Sequence, residues 1–335
     1  MNISAGVYWD QSWSPVRGCS KVSPGCASCW AERMAGRFAH LKDDSGRTRP
    51  GPYCTFSEDG RWTGRVELIE SELTKPLHWR KPRIVALNWM GDLFHEKVPD
   101  EAIDRVFAVM ALCPQHKFLV LTKRARRMRE HIAGVNSAER FHDINVAAQD
   151  ICQSPHYGAV LPTQQDGMVA GGWPLPNVAL GVSVEDQDWA NSRIPDLLAT
   201  PATMRFVSVE PLLGHIDIAC YLDGCFYTRP ACEFRKLNWA ICGGESGTGA
   251  RPPYPDWVRS IRDQCQADGA AFLFKGWGEW APDPLRHYVA SHAFNDGTVM
   301  GRFGKKAAGR LLDGRTWDQF PVWLTVNGHN YRRKE

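Results

Sequence analysis

The chain has 335 residues, 43% hydrophobic and 23% charged, with a formal net charge of +3. This is the make-up of a globular protein with a sizeable core. The charge is too small to indicate nucleic acid by itself, and no apolar run approaches the roughly 18–20 residues that span a bilayer.

The length fits two domains, or one α/β barrel of roughly 200–250 residues with additions. The stretch Met1-Asn-Ile-Ser-Ala-Gly-Val-Tyr8 has no basic region followed by an apolar one, so no secretory leader is expected. Eleven cysteines, an odd number, point to a reducing compartment and a cytoplasmic protein. In such a compartment clustered cysteines more often bind metal than pair as disulfides. A short run, Val7–Pro15, leads into the first cysteine cluster, and Ala31–Phe38 after it has a helical pattern. Residues 42–65 are polar and glycine-rich and are expected to loop.

Continuous apolar runs then recur at Arg83–Trp89, Lys117–Thr122, Val178–Ser183, Met204–Val209, Trp239–Cys242 and Ala271–Lys275. Such runs mark parallel strands buried on both faces. Helical patterns lie between them at Pro99–Leu112, Asp188–Leu198 and Tyr254–Cys265. The first has a proline and acids in its opening turn and a stripe of Ile103, Val106, Phe107 and Met110. The alternation predicts a partial (βα)6-type TIM-like barrel or a doubly wound sheet. Residues 134–176 have little period and read as an excursion or lid. The pattern changes after residue 281. The barrel is therefore expected to occupy residues 1–281, with a C-terminal appendage over 282–335; Gly301–Arg315 reads as a small hairpin or as part of that appendage.

The most specific feature is the set Cys19, Cys26 and Cys29, spaced C-x6-C-x2-C. Three thiolates can hold three irons of a four-iron, four-sulfur cluster and leave the fourth iron open to a small molecule. Cys26 and Cys29 stand at the start of the helical pattern, where backbone N–H groups and the helix dipole stabilise thiolates. Pro24-Gly25 would turn the loop so that Cys19 joins them. Two other readings stay open at this point. Zinc would want a fourth ligand, such as His40 or Cys54, and the three could be structural packing residues. A second set, Cys220, Cys225 and Cys232, lacks a C-x2-C knuckle; zinc or an auxiliary cluster are its metal readings. Cys113, Cys152, Cys242 and Cys265 read as packing.

In a parallel barrel, functional groups gather at the C-terminal ends of the strands. Those positions hold Asn88 and Asp92, then Lys123 and Arg124, Ser183 and Glu185, Glu210, Gly243-Gly244-Glu245, and Lys275 with Trp277. The glycine pair offers close backbone approach and free N–H groups for a carboxylate or phosphate. Fourteen tryptophans suit packing and also stacking on bases. The basic runs Lys123–Arg127, Lys305-Lys306 with Arg310, and Arg332–Lys334 read equally as solvated faces or phosphate contacts.

The chain resembles the phage and prophage three-cysteine-motif proteins, which are radical S-adenosylmethionine-like. The resemblance covers most of the chain. Its marks are Trp13-Ser-Pro with the three cysteines; Met90-Gly-Asp-Leu-Phe94; Leu121-Thr-Lys-Arg124; Leu180-Gly-Val-Ser-Val-Glu185; Phe206-Val-Ser-Val-Glu-Pro-Leu212; Gly243-Gly-Glu-Ser-Gly247; and Gly304-Lys-Lys-Ala-Ala-Gly-Arg-Leu-Leu-Asp-Gly314. It is more distantly similar to spore photoproduct lyase, with Asp92 and Thr122-Lys123 at matching positions. The departure from the common C-x3-C-x2-C pattern is the six-residue gap, with Ser28 rather than an aromatic before Cys29.

The resemblance implies a radical-enzyme barrel with a four-iron, four-sulfur cluster on Cys19, Cys26 and Cys29 and S-adenosylmethionine on the open iron. Asn88, Asp92, Ser183, Glu185, Gly243 and Gly244 are then the candidate cofactor contacts, and Lys123, Glu210 and Glu245 the candidate catalytic groups. A nucleic acid or nucleotide is the expected substrate, with DNA photoproduct repair or base modification as the reaction. A three-Cys-motif partner protein is a further expectation. The alternative is an iron–sulfur nucleic-acid-binding protein without radical chemistry.

Overall fold

All six apolar runs are strands in the computed structural model, which describes residues 7–43, 45–133, 137–154, 172–224, 235–282 and 289–324. They are β2 (Ile84–Leu87), β3 (Lys117–Thr122), β4 (Val178–Ser183), β5 (Met204–Val209), β6 (Trp239–Gly243) and β7 (Ala271–Gly276). A seventh, β1 (Gln11–Trp13), lies in the short run before the cysteines and pairs in parallel with β2. Every neighbouring pair is parallel, and the spatial order β1 to β7 follows the chain. A doubly wound sheet would reverse its strand order partway across; this one does not. The fold is a mixed α/β half-barrel of seven curled parallel strands.

The longer helices are α1 (Trp30–Ala39), α2 (Asp100–Leu112), α3 (Ala125–Ala133), α4 (Ser137–Gln153), α5 (Gln187–Ala199) and α6 (Pro255–Ala267). Part of the expected excursion is therefore the helix α4, which packs along α2. Its apolar residues, Phe141, Ile144, Ala148 and Ile151, do recur at helical spacing, and the last three are buried. Among the described residues no helix is long and apolar enough to cross a membrane.

Two cores result from the pleat. Val85, Phe118, Val120, Leu180, Val207, Cys242 and Phe272 face the helices. Their chain neighbours Ile84, Leu119, Ala179, Phe206, Trp239, Ile241 and Leu273 face the concave side, where Tyr8 fills the space. Alternation at period two sends each strand to both cores. It explains why the runs are continuously apolar.

The appendage contains a three-stranded antiparallel sheet of Trp280–Ala281, Val299–Arg302 and Ala290–Ala293, with Val299–Arg302 central. It starts two residues inside the expected barrel boundary. Within Gly301–Arg315 the chain ends that strand and forms a short helix, Lys305–Ala308, and the hairpin-like pairing is confined to Leu312 and Arg315, which bridge antiparallel. Beyond it, Phe274 N–H donates to Trp317 O and Gln319 N–H to Phe272 O, covering the outer edge of β7. Phe320 and Trp323 then pack on the concave core.

Candidate functional site

Cys19, Cys26 and Cys29 line one cavity of about 150 Å³. Most of its remaining wall comes from strand ends, Asn88, Trp89 and Asp92 after β2, Leu121 to Arg124 at β3 and Ser183 at β4, and Ala31 of α1 and Trp62 also line it. The turn Pro24–Cys26 presents Cys26, and Cys29 caps the N-terminus of α1. Burial pushes the Cys19 thiol up to about 12; Asp92 adds to the shift and Arg124 opposes it. Burial also raises Cys29, against the N–H groups of Glu32 and Ala31 in the first turn of α1.

Asp92 organises the second wall rather than facing the cavity freely. Its Oδ1 accepts from Thr122 Oγ1 at 2.7 Å and from Phe94 N at 3.0 Å. Its Oδ2 accepts from Lys123 N at 3.2 Å and from Arg124 Nη1 at 3.1 Å. Arg124 is itself buried. It also donates to Glu96 at 2.9 Å and to Ser20 Oγ at 2.9 Å, and its Nη1 lies 3.8 Å from Cys19 Sγ. The Asp92–Arg124 pair thus joins the end of β3 to the cysteine loop, and Arg124 is not a free cation for substrate.

Glu185 lies under the loop and is fully buried. It accepts from Ser23 Oγ at 2.8 Å, from Arg193 Nη1 at 3.0 Å, and from Lys123 Nζ. Gly25 permits this approach, since a Cβ there would meet the carboxylate at 2.5 Å. On the opposite side Glu245 accepts from Arg251 Nε at 2.9 Å and Nη2 at 2.7 Å, and Arg251 Nη2 donates to Pro24 O at 2.9 Å. Arg33 donates to Ser246 O at 2.6 Å, and Ser28 Oγ to Gly249 O at 3.1 Å. These bonds clamp the loop between β4 and the segment after β6.

Glu210 and Lys275 form a separate pair on the concave side, with contacts of 2.9 and 3.0 Å. A Cβ on Gly243 would stand 3.4 Å from the Glu210 carboxyl carbon and from Lys275 Cβ, so Gly243 sits between them. Lys275 Nζ lies 5.4 Å from the Trp89 ring centre and 5.8 Å from that of Trp9, and those rings stack at 4.3 Å. Three buried polar atoms near this wall have no partner among the described residues: Asn88 Nδ2, Trp89 Nε1 and Tyr8 Oη. Asn88 takes a left-handed φ of 53°, and its Oδ1 accepts from Val16 N at 3.2 Å. That leaves Nδ2 as an unused donor on a residue that lines the cavity.

The structure therefore gathers Cys19, Cys26, Cys29, Asn88, Asp92, Lys123 and Ser183 around one cavity. It sets Glu185 and Glu245 behind the loop, and Glu210 and Gly243 deeper on the concave face. Gly244 lies against Trp277, whose carbonyl oxygen would be 2.0 Å from a Cβ there. Neither His40 nor Cys54, both exposed, lines the cavity. Among the described residues no three His, Cys, Asp or Glu side chains enclose a single ion. Cys220 is exposed, while Cys225 and Cys232 fall outside the described residues. Lys305 and Lys306 are exposed on the appendage, but Arg310 is committed to Asp318 and to Phe274 O. Sequence reasoning missed Ser23, Arg193 and Arg251 as anchors of the loop. No motif marks them, because each acts through a contact more than 160 residues away or through another side chain.

Fold and site define an α/β half-barrel protein with a three-cysteine loop at the C-terminal mouth of its sheet. The chain belongs to the family described as Protein of unknown function (DUF5131), whose model matches residues 4–321. No curated protein and no solved structure matches it.

Proposed function

We propose that the protein is an iron–sulfur enzyme of the radical S-adenosylmethionine kind that acts on nucleic acid or a nucleotide. The observation that carries this reading is the convergence of Cys19, Cys26 and Cys29 on one cavity at the mouth of a parallel half-barrel. The donor set fits a cluster better than zinc. A cluster takes each thiolate on its own iron, whereas zinc draws four ligands to one centre.

Bound there, a cluster with S-adenosylmethionine would supply one-electron chemistry, and the chain would supply position and dryness. Asn88 Nδ2 and Ser183 offer polar contacts within the cavity. Lys123, held by Glu185, brings a cation to its rim. Glu210 and Lys275, beside Trp9 and Trp89, form the deeper wall against which a planar substrate could lie. The choice of nucleic acid, and of photoproduct repair or base modification as the reaction, rests on the likeness to spore photoproduct lyase.

Anaerobic purification followed by iron and sulfide analysis and electron paramagnetic resonance tests the reading. The expected result is about four irons per chain, lost in Cys26→Ser, and 5′-deoxyadenosine formed with S-adenosylmethionine and dithionite. A colourless protein holding one zinc would refute it. A brown protein that binds DNA but never forms 5′-deoxyadenosine would leave the binding-protein alternative.

A further inference from the structure

The outer face of α1 and the two hairpins packed beside it carry exposed aromatic rings and several cations that enter no ion pair among the described residues. Helix α1 buries Glu32, Ala35 and Ala39 on one side. At 100° per residue the opposite arc holds Trp30, Arg33, Met34, Arg37 and Phe38. Trp30 is 50% exposed and Phe38 38% exposed, unusual values for such large side chains. Arg37 lies beside Trp30 on the same arc, on the side away from Phe38, and enters no ion pair among the described residues. The same is true of Lys42 and Arg49 on the exposed hairpin His40–Lys42/Thr48–Pro50, and of Arg61 on the hairpin Ser57–Glu58/Arg61–Trp62. Elsewhere exposed arginines are of both kinds: Arg65 and Arg126 are ion-paired, while Arg80 and Arg315 enter no ion pair among the described residues.

This surface runs up to the cysteine cavity. Ala31 and Trp62 both line that cavity. Glu32 accepts from Trp62 N at 3.0 Å, and a Cβ on Gly36 would stand 2.7 Å from Gly60 Cα. Helix and hairpin therefore form one continuous face, about 15 Å long over the ten residues of α1. Unpaired cations with flat rings beside them match a phosphate backbone with unstacked bases. Paired bases of a duplex would not offer their faces to Trp30 and Phe38.

We infer that this face is a docking track for a single-stranded nucleic-acid segment that leads to the cavity. The inference rests on the nucleic-acid reading of the same site and narrows it to a polymer. Arg37, Lys42, Arg49 and Arg61 meet phosphates, and Trp30 and Phe38 stack on bases.

The test is fluorescence anisotropy of the cluster-loaded protein with a labelled 20-nucleotide oligothymidylate, at several salt concentrations. Arg37→Glu with Arg49→Glu should weaken binding at least tenfold and flatten the log K against log salt slope by about 1.4, since each lost single-strand contact removes about 0.7. Trp30→Ala should weaken binding roughly tenfold with the salt slope unchanged. Arg126→Glu, on α3, should bind as wild type does. The track is refuted if the Arg37/Arg49 variant binds as wild type does, or if a duplex of equal length binds as tightly as the single strand. Formation of 5′-deoxyadenosine without nucleic acid is measured in parallel. Its absence would count against the radical reading, and its presence without oligonucleotide binding would count against the track alone.

Discussion

In a Gly25→Ala variant the added Cβ would stand 2.5 Å from Cγ and Oε1 of Glu185. Glu185 has little room to yield. It is fully buried, and Ser23, Lys123 and Arg193 hold its two oxygens from three directions. Either the turn Pro24–Cys26 lifts away or the carboxylate gives up one of those bonds. Overpacking of this kind costs about 1–3 kcal/mol, and a lost hydrogen bond to a charged group about 1.5–3 kcal/mol. Only part of each is incurred once the loop relaxes, so the expected loss is about 2–4 kcal/mol, or roughly 3–6 °C in the melting temperature of a chain this size. Calorimetry of the metal-free protein measures it. If the three cysteines hold the proposed cluster, iron uptake on reconstitution should fall as well, because Cys26 is the next residue. Gly25→Ala with Glu185→Asp, which withdraws the carboxylate by one methylene, should recover part of the loss. A Gly25→Ala protein that melts within 1 °C of wild type and loads iron normally would show that Glu185 is not a fixed floor beneath the loop.

Two further outcomes follow from the buried titrating groups. With its thiol pushed up to about 12, Cys19 of the metal-free protein is neutral at pH 7.5. Iodoacetamide should modify it at least tenfold more slowly than the exposed Cys54, as read by peptide mass spectrometry; equal rates would mean that the loop opens freely. His116 is fully buried, and burial lowers its proton affinity below that of an ordinary histidine, with Arg83 acting in the same direction against the Pro76 carbonyl. The unfolded chain takes up this proton near pH 6.5 while the folded chain resists, so stability is greatest above that pH and declines as pH falls through it. His95, lowered mainly by burial and by Arg124, adds to the decline. Melting temperature at pH 7.5 against 5.5 measures the slope, and His116→Gln should reduce it; an unchanged slope would remove His116 from the account.

Local pattern was enough for the strands and most helices. Runs such as Val178–Ser183 are apolar at every position because each strand separates two cores, and that is legible without coordinates. The helix α4 was harder, since its apolar stripe is diluted by Arg140, His142, Asp143 and Gln149. The strand β1 is three residues long, and its pairing partner lies about 70 residues on, so no local signal separates it from a loop.

For the site, the sequence by itself determined the chemical inventory. It supplied three cysteines at a fixed spacing and polar residues after each strand, which a sheet of parallel strands gathers at one mouth because all the strands end on the same side. Only the tertiary structure decided what each of those residues does. Asp92, Glu185 and Glu245 look alike in sequence as carboxylates at strand ends. Their roles diverge because Arg124, Arg193, Lys123 and Arg251 arrive from other elements and neutralise them against the cysteine loop. Asn88, which lines the cavity, keeps a donor without a partner among the described residues because Val16 reaches only its oxygen. Charge pairing and burial depend on which distant residues come within a few ångströms, and local spacing carries no information about that.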